Sequence, residues 1–110
     1  MRKAKVKIFD YDAGELFEDD EGFHFKYYNS YLNSENPVAV SLTLPLQTET
    51  FSSNTLFPFF DGLIPEGWLL NIASKSWRIN QNDRMGLLLA CCQNAIGAVS
   101  IHQIKRDENE

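Results

Sequence analysis

At 110 residues, 44% hydrophobic and 13% aromatic, the chain has the composition of one folded domain able to remove roughly 60–70% of its unfolded surface from water, which excludes a disordered segment. A net charge of −5 opposes phosphate backbones and anionic lipid headgroups, so neither direct nucleic-acid binding nor membrane binding is expected.

In chain order, Ala4, Val6 and Ile8 alternate with Lys5 and Lys7, the period of a half-buried strand. This opening, MRKAKVKIFDYD, lacks the unbroken apolar stretch of a signal peptide, and no run nears the ~20 apolar residues of a membrane helix. GELFE at 14–18 and GFHFKYY at 22–28 read as two more strands, joined at Asp19, Asp20 and Glu21 as a hairpin. In the second arm Phe23, Phe25 and Tyr27 share the expected inner face, and His24 and Lys26 the outer one. YNSYLNSENP has room for one helical turn before Pro37. Val38, Val40, Leu42 and Leu44 then alternate up to Pro45 and predict a fourth strand or an extended segment. The polar stretch QTETFSSNT at 47–55 predicts a loop.

PFFDGLIPEGW at 58–68 is more apolar than a surface loop of an acidic protein should be, and for Phe59 and Phe60 the core is the favoured destination. From Glu66 the period becomes helical: Leu69, Ile72, Ala73 and Ser76 share one face, with Asn71, Ser74, Lys75 and Arg78 opposite. Asn82 or Asp83 is the predicted N-cap of a second short helix carrying Leu88, Leu89 and Cys92. Gly97 to Ile101 predict a closing strand, and KRDENE a solvated tail, so the domain is placed at 1–104 and the tail at 105–110. The expected fold class is α+β, a small antiparallel sheet with two or three short helices packed to one side.

Catalytic chemistry finds little support. His24 and His102 have no cysteine or carboxylate at ligand spacing, and Asp10 and Asp12 read as a turn with side-chain caps. Asp19, Asp20 and Glu21 lack the glycine and glutamate spacing of a calcium loop, and neither a G-x-S-x-G elbow nor a phosphate loop is present. Cys91 and Cys92, as sequence neighbours, cannot bridge without strain, and Cys91 reads as inert packing in a reducing, cytoplasmic compartment. No catalytic residue, metal or cofactor is expected.

Packing alone accounts less well for Trp68. At 100° per residue it lies on one margin of its helical stripe, with Leu70 and Trp77 on the other, just after the Pro65–Glu66–Gly67 loop. It either covers the end of the core or anchors an interface, where tryptophan is enriched. Glu66 in a first helical turn stabilises the helix dipole with or without a partner.

The ordered series Gly14-x-Leu16, Phe25-x-Tyr27, Tyr31-Leu32, Ser41-Leu-Thr-Leu-Pro45, Phe59-Phe60-x-x-Leu63-x-Pro65-Glu66-Gly67, Asp83 with Leu87-Leu88, and Gly97-Ala98 resembles the N-terminal subdomain of HipA-type toxin kinases, from about residue 4 to 102. In that family the subdomain precedes a serine/threonine kinase body. Here the chain ends where the kinase would begin, so no kinase lysine or catalytic aspartate is expected and no phosphate transfer. The resemblance extends to HipS, the free-standing subunit of three-gene HipBST systems. It implies an antitoxin that binds and inhibits a HipT-like kinase, in a complex with a HipB-like helix-turn-helix DNA-binding protein. The alternatives are a non-inhibitory subunit that completes the kinase, or an adaptor unrelated to kinases. The residues expected to meet the partner are Ile64, Pro65, Glu66, Gly67, Trp68 and Leu70, with Trp68 as anchor. Leu70 stands where HipA sequences commonly carry arginine, and Cys92-Gln93-Asn94 where they carry G-x-D. Both departures suit docking by apolar contact.

Overall fold

The computed structural model describes residues 2–64, 83–91 and 98–104. Within them the chain forms an antiparallel sheet of β1 (Lys3–Ile8), β2 (Tyr11–Asp19), β3 (Gly22–Tyr27), β4 (Phe51–Ser53) and β5 (Val99–Ile104), in the order β4-β3-β2-β1-β5. Three helices, α1 (Asn29–Leu32), α2 (Pro58–Asp61) and α3 (Arg84–Cys91), complete the described part. This is the expected α+β architecture.

Alternation sets the buried face. Ala4, Val6 and Ile8 of β1, Leu16 of β2, Phe25 and Tyr27 of β3, and Ile101 of β5 all enter one core. Met85, Leu87, Leu88 and Leu89 of α3 and Phe60 of α2 join it. The β1–β2 register slips between Val6 and Lys7, so Val6 faces Gly14 and Lys7 faces Asp12. Ala13 is the extra residue of this bulge, which is why Ala13 and Gly14 can be buried in succession where strict alternation would expose one. Gly14 also has no room for a side chain, since a Cβ would stand 2.6 Å from the Lys26 carbonyl and 2.9 Å from the Phe25 ring.

Two expectations need correction. Residues 38–44 are not a strand. Val40 and Leu44 are buried but Val38 and Leu42 are exposed, a spacing of four where a strand would give two, and among the described residues the only ladder contact there is an isolated bridge between Ser41 and Leu44. Two tyrosine hydroxyls take the place of a neighbouring strand. Tyr27 Oη accepts the Val40 N–H at 3.0 Å and donates to the Leu44 carbonyl; Tyr31 Oη accepts the Val38 N–H at 2.9 Å and donates to the Val38 carbonyl at 2.7 Å. Conversely, the polar stretch expected as a loop supplies β4. It is an edge strand whose Phe51 turns inward, stacked on Phe25 with centroids 6.3 Å apart, while Ser52 faces solvent.

The Tyr27 hydroxyl is buried, so its loss leaves a backbone donor and an acceptor without a partner. Tyr27→Phe keeps the ring and is expected to cost roughly 1–3 kcal/mol. A urea midpoint equal to that of the parent protein would show that 38–44 is held by its apolar contacts alone.

Candidate functional site

The segment 65–82, which carries most of the expected partner-binding residues, lies outside the described residues, but both of its flanks are described. On the N-terminal side Pro58 opens α2 at a position where its missing N–H costs nothing, Phe60 is fully buried, and Gly62 ends the helix. Ile64 is 2% exposed and belongs to the core, so its side chain does not offer a contact surface. Pro65, Glu66, Gly67, Trp68 and Leu70 lie outside the described residues, as does the helix expected from Glu66.

On the C-terminal side Asp83 is the N-cap of α3, the second of the two candidates. Its Oδ1 accepts the Gly86 N–H at 3.1 Å, and its carbonyl accepts the Leu87 N–H at 3.0 Å. Arg2 grips the same carboxylate with Nη1 and Nη2 at 2.8 and 2.9 Å, and its Nε bonds Glu18 on β2. This crowding explains a glycine at residue 86, where a Cβ would meet the Asp83 carboxylate at 2.4 Å. Arg84 Nε bonds Asp61 Oδ1 at 2.6 Å, tying α3 to α2. The chain therefore leaves α2 and returns to α3 at one place, and two ion pairs frame the base of the 65–82 segment.

The bond from Arg2 holds the Asp83 carboxyl below its usual range, assisted by the Gly86 N–H and opposed by desolvation. Since the folded-state pKa is depressed, the stabilisation is complete above the unfolded value of about 3.9 and is lost as pH falls through the folded one. Asp83→Asn, which retains a capping oxygen, is expected to lower stability at neutral pH and flatten its decline below about pH 4. An unchanged acid limb in denaturation curves would remove Asp83 from this role.

The remaining polar clusters are structural. His24 Nδ1 meets Ser52 Oγ at 2.8 Å and Nε2 meets Asp19 Oδ1 at 2.9 Å, with the ring stacked on Phe17. This serine–histidine–aspartate chain lies across β2, β3 and β4 on the outer face of the sheet, where it clamps the edge strand to the hairpin. Asp19 also accepts the Glu21 N–H at 2.8 Å, closing the acidic hairpin tip as a side-chain turn, and His24 holds its carboxyl below the usual range. Asp12 pairs with Lys5 at 3.2 Å and Lys7 at 3.8 Å across the bulge, and His102 meets Ser100 at 2.8 Å. Among the described residues no group of three or more His, Cys, Asp or Glu could hold a metal ion.

One surface was not anticipated. Phe9, Tyr11, Val38 and Leu42 are 70%, 68%, 61% and 101% exposed, and the first three line a groove of about 470 Å³ between the β1–β2 turn and residues 34–40. The available signal was that Phe9 directly follows the inward-facing Ile8. For Val38 the period-two pattern pointed the wrong way.

The profile of the HipA N-terminal domain matches residues 4–102. This chain belongs to the HipA N-terminal domain family. A Haemophilus influenzae protein of uncharacterized function is 38% identical over 106 residues, covering 96% of both chains. The Sinorhizobium fredii protein Y4mE, named as a kinase, is 39% identical over 55 residues, which are 49% of this chain and 13% of that protein. A solved structure titled as the N-terminal domain of HipA toxin superposes with a TM-score of 0.75 at 33% identity, over 97% of this chain and 96% of the other. The HipA N-terminal fold therefore accounts for the sheet and helices described above, and a HipA-related role follows for the chain. Among the described residues no helix is long and apolar enough to cross a membrane.

Proposed function

We propose that this HipA N-terminal domain acts as an antitoxin-type subunit that binds a separately encoded HipT-like serine/threonine kinase and inhibits it. The observation that carries the reading is family membership over residues 4–102. It is supported by the Haemophilus influenzae relative, almost all of whose length is this domain, and by Y4mE, in which the matched part is a small fraction of a longer protein named as a kinase. Pro65, Glu66, Gly67, Trp68 and Leu70 are the proposed contact surface, Ile64 its buried support, and residues 1–104 the working unit with 105–110 as a solvated tail. A HipB-like DNA-binding protein is the proposed third member of the complex, and the proposed compartment is the cytoplasm. The chain itself is proposed to have no catalytic role.

The test is autophosphorylation of the cognate HipA-type kinase with and without equimolar chain. Suppression is expected. Activity that is unchanged or raised in a stable complex would make the chain a completing subunit, and absence of any complex would leave only the fold in common with the family.

A further inference from the structure

The groove beside the β1–β2 turn is concave, apolar and held from both sides. Its floor is Ile8, Tyr31 and Val40, all buried, and its walls are Phe9, Tyr11 and Val38, all more than half exposed. Neither wall is loose. Phe9 has a left-handed φ of 55°, unusual for a bulky residue, and its N–H donates to the Ala98 carbonyl at 2.6 Å. Val38 has both its N–H and its carbonyl on the Tyr31 hydroxyl. At about 470 Å³ the groove lies within the ~300–1,000 Å³ usual for binding pockets.

Its charge selects the occupant. No lysine or arginine lines it among the described residues, and the one charged lining residue, Glu35, has no ion-pair partner there. Asp10, in the turn between Phe9 and Tyr11, does not line the groove, and Asp12 is neutralised by Lys5 and Lys7. An apolar floor with an unpaired carboxylate in its lining disfavours acidic segments and favours a cationic one. We infer that this groove docks a protein segment in which a large apolar side chain is flanked by lysine or arginine. The inference goes beyond the kinase reading, since it holds whichever partner the Trp68 segment meets.

The test is to pan a random phage-displayed peptide library against the full chain and, in parallel, against Val38→Glu and Glu35→Lys. The parent is expected to enrich peptides with an apolar residue beside Lys or Arg, binding Val38→Glu at least ~10-fold more weakly. Glu35→Lys is expected to lose the preference for cationic flanks. Both changes are at exposed positions and should preserve the circular dichroism spectrum; Phe9→Ser reports on the same groove should Val38→Glu fail to fold. Enriched peptides without that pattern, or bound equally by Val38→Glu, would overturn the inference. So would self-association of the parent chain that Val38→Glu abolishes, which would make a second copy the occupant.

Discussion

Phe25→Ala is expected to remove about 3–5 kcal/mol of folding stability, a large share of what a domain of this size has. The ring is fully buried, and the rings of Tyr27, Phe60 and Phe51 surround it at centroid distances of 4.9, 5.4 and 6.3 Å. Removing a buried phenylalanine ring costs about 3–5 kcal/mol through lost transfer energy and the cavity left behind. A domain of this size has only about 5–15 kcal/mol in total. Collapse around the cavity is resisted on two sides, because Phe25 also packs against Gly14, where the β2 and β3 backbones already approach closely. The check is urea denaturation followed by circular dichroism. A loss below about 1 kcal/mol would mean that the aromatic cluster is not the centre of the core.

Trp68→Ala is expected to weaken binding to the proposed kinase partner by about 2 kcal/mol or more, roughly thirtyfold in Kd, with little change in the domain's own stability. Its control is Ile64→Ala, four residues earlier and 2% exposed, which should lose about 2–5 kcal/mol of folding stability. The pair separates the two roles open to the tryptophan. Should Trp68→Ala behave like Ile64→Ala, with a lowered melting temperature and unaltered affinity per folded molecule, the indole covers the end of the core and the partner docks elsewhere.

Strands β1 to β3 were legible because each pattern there has a local cause. Ala4, Val6 and Ile8 alternate on a strand with one wet face, and Asp19 and Gly22 bracket a short turn that the Asp19 side chain closes. The Asp83 cap was legible for the same reason. What failed was non-local. Val38 to Leu44 carries a strand's pattern, but its backbone partners are hydroxyls of Tyr27 and Tyr31, which no spacing within the segment reveals. Phe51–Ser53 carries a loop's composition, but it pairs with β3 at the sheet edge, where only one residue in three needs to be apolar. Of the candidate site, the sequence pointed to the 58–68 stretch, and the structure describes its approach through α2. The Arg2–Asp83 and Asp61–Arg84 pairs that frame that approach join residues 81 and 23 positions apart, a distance no motif spans.

Strand β1 lies between β2 and β5, and its first residue, Lys3, stands opposite Ile104 at the far end of the last strand. The two ends of the described sheet are thus side by side, about one strand spacing apart. A short glycine-serine linker from Ile104 back to Lys3 would span that gap without moving the sheet. A circularly permuted chain opened in the exposed stretch at Thr48–Thr50 would retain every β1–β5 pairing, and it would change where the first strand is made relative to its two neighbours. In the native order β1 must wait for the last strand before its second edge is covered. In the permuted order β5 and β1 would be joined as a hairpin, while β4 and β3 would move to opposite ends of the chain, so six distant residue pairs are exchanged for three, a net gain in locality that favours faster folding.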